Sequence, residues 1–235
     1  DVIIGNPPWV KWEHLPAAYA ERIKSECDVR HIFCNDGGRF GGTQLNICAL
    51  IANVTATNWL KEGGVQAFLM PDSIMAQNSY EEFRKFYVDY SLNKRLFLQK
   101  IDKWTPPLRP FRYEDVSVTQ DFNTYYFAHR EVDYKLGVPV VEVTKRKGVS
   151  NARINMCTTY DDVSQYLSFD TMKAVQLSDD STVFTYSYKE DEFCGISGNS
   201  AYKSRTGVEM TPQEIFMLSG VGLSNKECCY RFKKK

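Results

Sequence analysis

Asp1-Val2-Ile3-Ile4-Gly5-Asn6-Pro7-Pro8-Trp9 is the stretch whose reading decides the fold. The β-branched run from Val2 to Ile4, stopped by Gly5, reads as a short buried strand that delivers the next residues to the carboxyl edge of a sheet. Ligands of open α/β sheets gather at that edge, so Asn6-Pro7-Pro8-Trp9 falls where chemistry is done. The residue types suit one task. An exocyclic amine on an aromatic ring is a poor nucleophile because its lone pair is delocalised. Acceptors that hold its two protons let the nitrogen move toward tetrahedral geometry. The side-chain oxygen of Asn6 and the main-chain carbonyl of Pro7 are candidates for those acceptors, and two prolines stiffen the turn. Trp9 offers a flat face on which an extruded base can stack. Asn-Pro-Pro also serves as a plain turn, so context has to carry the reading.

Working outward, Pro16 at a first-turn position starts a helix through Ala17 to about Glu26, and the glycines between Asn35 and Gly42 make a loop. Leu45, Cys48, Ala49, Ile51, Ala52, Ala56, Trp59 and Leu60 recur at helical spacing and stop at Gly63-Gly64. Val65 to Met70 is a buried strand. Ser79 and Glu82 form a capping box before a helix with Phe83, Phe86, Tyr87 and Tyr90 on one face. Leu96 to Leu98, Val116 to Thr119, Tyr125 to Ala128 and Val138 to Val143 read as further strands, with a proline-rich loop from Trp104 to Pro110. This alternation is that of an α/β fold. After about Gly148 it gives way to polar stretches and short aromatic runs such as Val183 to Tyr188. That change sets an expected boundary between residues 1–148 and a mostly β or irregular module over 149–235.

Lys plus Arg equals Asp plus Glu at 29 each, so any surface for a polyanion must be local. One candidate is the cluster Arg84, Lys85, Lys94, Arg95, Lys100, Lys103, Arg109 and Arg112, which a solvated face explains equally well. Seven cysteines, Cys228 beside Cys229 among them, do not read as a disulfide framework and point to a reducing, cytoplasmic setting. Cys27, His31 and Cys34 lack a fourth ligand at recognisable spacing, so no metal is expected. No apolar run approaches the roughly 18 residues of a membrane helix. His14, His31 and His129 show no matched partner and receive no catalytic role.

The D-x-h-h-G-N-P-P-aromatic string of Asp1 to Trp9, where h is apolar, resembles the catalytic motif of DNA adenine N6-methyltransferases. Thr43 to Pro71 resembles the same family's next segment, in which a helix ends at Lys-x-Gly-Gly and a strand ends at Pro. A helix containing Phe-Arg-Lys-Phe follows there, here Phe83 to Phe86. Asp115 to Arg130 looks like its late hairpin, and the likeness continues through Val138 to Lys147. Tyr202 to Leu218 looks like the string that opens the target-recognition region of type IIG restriction-modification proteins.

The resemblance implies the C-terminal half of a Rossmann-like class I methyltransferase sheet, followed by the start of a target-recognition module. It implies methyl transfer from S-adenosylmethionine to the N6 amine of a flipped adenine in double-stranded DNA, within a restriction-modification or phage-defence system. Asn6, Pro7, Pro8 and Trp9 are then catalytic, and Asn6, Pro8 and Leu45 lie against the cofactor. Leu45 reads equally as a core leucine, because Gln44-Leu45-Asn46 stands where relatives carry Asp-Leu. Lys11 and Trp12, just past the turn, and Lys203 and Arg205 in the recognition-like string are expected on DNA.

The family's glycine-rich cofactor loop does not precede Asp1. Gly37 to Gly42 and Phe193 to Gly198 do not follow an apolar strand. The main cofactor motif is therefore expected in an N-terminal half outside these residues, with or without a nuclease, and the piece alone is expected to be inactive. Two alternatives stand beside this reading. One is methylation of a protein glutamine or an RNA base, which shares the planar-amine chemistry. The other is a non-catalytic DNA-binding remnant.

Overall fold

A computed structural model describes residues 1–33, 45–105, 112–113, 116–117, 120–178, 181–189, 218–223 and 228–232. Strand β1 (Val2–Gly5) lies parallel to β2 (Val65–Pro71), with Val2 opposite Val65 and Gly5 opposite Phe68. Helices α1 (Ala17–Val29) and α2 (Ile47–Trp59) lie between them in sequence. The small residues Cys48, Ala49, Ala52 and Ala56 are buried at helical spacing on α2. They let its backbone approach β2 closely enough for Gln66 Nε2 to donate to the carbonyl of Ala52 at 3.0 Å. Gly63, at φ +76°, makes the left-handed turn from α2 into β2.

The chain continues through the small hairpin of β3 (Tyr87–Asp89) and β4 (Lys94–Arg95) into β5 (Phe97–Trp104), with β6 (Arg112–Tyr113) and β7 (Val116–Ser117) a second small hairpin. Then follow β8 (Phe122–Ala128), β9 (Val138–Lys145), two short helices α3 (Asn151–Asn155) and α4 (Tyr160–Ser164), β10 (Leu167–Gln176) and β11 (Phe184–Ser187). Seven strands form one mixed sheet in the order β1-β2-β8-β5-β9-β10-β11. The reversed strand β8 is antiparallel to β2 and β5, whereas β9 is parallel to β5. The expected α/β class stands. A separate unit, Asn199–Lys235, contains the antiparallel pair β12 (Leu218–Leu223) and β13 (Cys228–Phe232).

The sheet coils strongly. β11 stands four places from β8, a separation of about 19 Å in a flat sheet. Yet the hydroxyl of Tyr186 on β11 is 3.0 Å from Asn123 Nδ2 on β8. Phe184 likewise packs on Tyr134 and Phe86. The last strand has turned back over the sheet face and closes the core.

Among the described residues β1 stands at one end of the sheet, with Val2 66% and Ile4 81% exposed while Ile3 packs on the core. Two expectations change. The helix expected after the Ser79/Glu82 box is instead a set of short 3-10 turns, Asn78–Tyr80 and Phe83–Lys85, leading into β3. Arg84 explains the difference. Its buried guanidinium takes the carbonyls of Ile74 and Gln77 and the hydroxyl of Thr182, while Phe83 and Phe86 both enter the core. Helix cannot satisfy all of these, and the turn ends at Phe86 with φ +56°. Glu82, freed from capping, pairs with His31 and Lys85. The expected boundary near Gly148 falls inside the first compact unit, Asp1–Gly198, because β10 and β11 extend the same sheet. Finally, Trp104 ends β5 instead of opening a loop, held by a bond from its indole to Thr124 Oγ1 at 3.0 Å.

Candidate functional site

The turn Asn6–Trp9 leaves β1 at its carboxyl end, beside the same end of β2. Gly5 is required at this point. A Cβ there would lie 2.9 Å from the ring of Phe68. Pro7 is buried and anchors the turn, whereas Asn6 and Pro8 are exposed. The Asn6 carboxamide makes no hydrogen bond among the described residues, so its oxygen and its N–H groups are open to a ligand. Trp9 is half-buried. Its indole N–H donates to the carbonyl of Leu69 at 3.2 Å, and its ring meets Phe122 at 5.6 Å between centroids. Those two contacts fix the plane of the indole.

Beyond the turn, the chain is clasped to the start of α2. Trp12 N donates to the carbonyl of Leu45 at 2.8 Å and Ile47 N to that of Val10 at 2.9 Å, so Lys11 pairs with Asn46. Asn46 is buried and donates from both its amide and Nδ2 to the Tyr80 hydroxyl, at 3.2 and 2.8 Å. Burial pushes that phenol up to about 12, so it stays protonated at neutral pH. Leu45, one of the residues expected against a cofactor, is 1% exposed and belongs to the hydrophobic core. Its core reading prevails in this structure.

The expected DNA residues separate. Lys11 lies within 4.0 Å of Glu13 and is partly exposed, and Trp12 packs edge-on against Phe33. Lys203 and Arg205 lie outside the described residues. The basic cluster does not present one face. Arg84 is buried, Lys85 pairs with Glu82, Lys100 with Asp102 and Lys103 with Glu142. Arg109 also lies outside the described residues. Cys27 is buried in α1, and His31 Nδ1 is 2.7 Å from Glu82 Oε2, a carboxylate partner that sequence spacing did not reveal. Cys34 lies outside the described residues. No described helix is long and apolar enough to cross a membrane.

A second polar group that the sequence reading missed lies next to the turn. Asp72, one residue past β2, accepts on Oδ1 from Asn123 Nδ2 at 2.6 Å and from the Tyr186 hydroxyl at 2.9 Å. Asn123 also reaches the Tyr125 hydroxyl, which donates to the carbonyl of Pro71. Burial, reinforced by the charge of Asp72, drives the Tyr186 phenol far above its ordinary range, so it remains a donor. No spacing rule could have joined residues 114 positions apart.

No family model matches the chain. Over 100 residues, 42% of its length, it is 27% identical to the Type II methyltransferase M.HincII of Haemophilus influenzae and, equally, to the Type II methyltransferase M.HindII of the same species. The match spans 18% and 17% of those two proteins, so the chain covers under a fifth of each. Among solved structures, the type IIG restriction endonuclease BpuSI overlays on 73% of the chain at 15% identity and TM-score 0.42. The Type IIL restriction-modification enzyme MmeI in complex with DNA overlays on 60% at 16% identity and TM-score 0.35. The sequence match shows a stretch of the chain to be similar to Type II methyltransferases.

Proposed function

We propose that this chain, related as it is to Type II methyltransferases, is the target-base portion of a DNA methyltransferase that modifies the N6 amine of adenine in a restriction-modification system. One observation carries the proposal: the Asn6–Trp9 turn stands at a strand's carboxyl end with an open carboxamide and a pinned indole. On this reading Asn6 Oδ1 and the Pro7 carbonyl accept the two amine protons. That draws the nitrogen lone pair out of conjugation as the new bond forms. Pro7 and Pro8 remove the reorganisation an ordinary turn would require, and Trp9 receives the base extruded from double-stranded DNA. The amine proton leaves after attack, which fits a turn that carries no strong base.

S-adenosylmethionine, when bound, would supply the electrophilic methyl group. Of the residues expected to hold it, Asn6 and Pro8 are exposed and fit that role, whereas buried Leu45 does not. Lys11, Lys203 and Arg205 are assigned to the DNA backbone, and the residues after Gly148 that lead through Tyr202 to Leu218 to target recognition.

The test is Asn6→Ala in the enzyme that contains this chain, assayed for tritiated methyl incorporation into DNA. Loss of one acceptor to the reacting amine should lower turnover by about 100-fold or more, with DNA affinity held. Turnover equal to wild type would refute the assignment. Methyl label on RNA or on a glutamine side chain, with none on DNA, would replace the substrate.

A further inference from the structure

We infer that Tyr186, acting through Asp72 and Asn123, is a positioning residue for the Asn6–Trp9 turn. The last strand of the sheet thereby sets the geometry at the first. The inference rests on the reading of that turn as the target-base site.

The geometry runs in three steps. Asp72 grips the start of β8 at two points: its backbone N–H donates to the carbonyl of Asp121 at 2.9 Å, and its Oδ1 accepts from Asn123 Nδ2 at 2.6 Å. Between those points lies Phe122, 1% exposed, whose ring packs on Trp9 at 5.6 Å. Phe122 therefore cannot shift against Trp9 without breaking a bond to Asp72. Trp9 is in turn tied to β2 through Leu69, three residues before Asp72. The turn is thus seated on a block whose polar fastening is Asp72.

Tyr186 closes that fastening from outside. Asn123 Nδ2 has two protons and three acceptors within reach, the Asp72 oxygen and the Tyr125 and Tyr186 hydroxyls. The hydroxyl of Tyr186 also donates to Asp72 at 2.9 Å, so Tyr186 is tied to both members of the pair. The Tyr186 ring is held independently, with Lys103 Nζ 4.7 Å from its centroid. A displacement of β11 must therefore be felt at Asp72. The physical warrant for the coupling is the chain of bonds, not proximity alone.

The experiment places 5-fluorotryptophan at the four tryptophans of the full 235-residue chain and assigns the Trp9 resonance through Trp9→Phe. Tyr186→Phe removes only the hydroxyl. It should move or broaden the Trp9 fluorine signal and leave that of Trp59, at the end of α2, in place. Tyr188→Phe, just past the end of the strand and bonded to Glu142 instead, should leave Trp9 unmoved. Asp72→Asn keeps one oxygen acceptor, should give a smaller shift of the same sign, and serves if Tyr186→Phe does not fold.

A Trp9 signal indifferent to both Tyr186→Phe and Asp72→Asn overturns the inference. So does one that Tyr188→Phe moves equally. In the enzyme carrying the chain, Tyr186→Phe should lower turnover by about 3- to 10-fold with unchanged DNA affinity, and unchanged turnover also overturns it. If the wild-type enzyme methylates no DNA, the proposed function fails, while the fluorine shifts still decide the coupling.

Discussion

The two edges of the sheet handle polar groups in opposite ways. At the β1 edge, Asn6 projects an open carboxamide from an exposed turn, and Val2 and Ile4 leave one face of the strand bare. At the β11 edge nearly every polar group is matched. Arg84 takes two carbonyls and Thr182, Tyr186 takes Asp72, and Tyr188 joins Lys103 and Thr105 on Glu142. Saturated groups rigidify, and open ones wait for a partner. On the proposed function, stability and binding fall to different ends of one sheet. Substitutions at the two ends should therefore separate cleanly in what they change.

The largest effect is expected at Arg84. Arg84→Met keeps much of the buried volume but strips the donors from the buried carbonyl of Ile74, from the carbonyl of Gln77 and from Thr182. Each abandoned acceptor costs its own desolvation, and the total should reach about 3 kcal/mol or more of unfolding free energy in urea titration. A loss under about 1 kcal/mol would show that water or neighbouring groups replace the guanidinium, and the contrast between the edges would weaken.

The sequence announced the first edge and concealed the second. The β-branched run, Gly5 and the two prolines are local signals, and they located a strand end and its turn. They did not reveal the exposure of Val2 and Ile4, because burial depends on what packs beside a strand and not on its own residues. Helical spacing likewise located α1 and α2, whose buried faces repeat within one element. It failed at Phe83–Tyr90, where the same spacing arises from two aromatics entering the core from a turn closed by Arg84. The Asp72–Asn123–Tyr186 group was illegible because its members come from three strand ends that only the coiling of the sheet brings together. The strands that carry the sheet past Gly148 were hidden for a related reason. A short strand such as Phe184–Ser187 reads as irregular until the sheet it completes is known.

Next in size is Tyr186→Phe read as stability. One hydrogen bond to Asp72 is lost and the ring remains, so unfolding should become easier by about 1 kcal/mol. A stabilised variant would mean that the buried hydroxyl is a burden and not a fastening.

A smaller effect is expected from Glu142, and it depends on pH. Burial pushes its carboxyl up, but the bonds from Lys103, Tyr188 and Thr105 outweigh burial and hold it below its ordinary 4.5. A carboxylate depressed in the folded state stabilises above its unfolded value, and that contribution is lost as the pH falls through 4.5 and below. Wild type should therefore lose stability on that acid limb. Glu142→Gln should flatten the limb by about 1 kcal/mol or less and leave the Tyr186–Asp72 contact intact. An acid limb of unchanged steepness in the variant would assign the proton uptake to other carboxylates.

The smallest effect on stability is expected at Asn6, where the proposed effect on activity is largest. Asn6 is exposed, makes no hydrogen bond among the described residues and follows the strand it terminates, so its side chain holds nothing in place. Asn6→Ala should leave the unfolding free energy within about 0.5 kcal/mol of wild type, as for a surface substitution away from caps and networks. The backbone conformation of the turn does not depend on it, since buried Pro7 and the bond from Trp9 to Leu69 set its path. A polar side chain exposed at the end of a strand contributes little to the fold, and the proposed function directs its chemistry at the target base. Urea titration of the variant distinguishes the cases. A loss of 1 kcal/mol or more would mean that Asn6 supports the turn, and the division between a binding edge and a holding edge would fail at its defining residue.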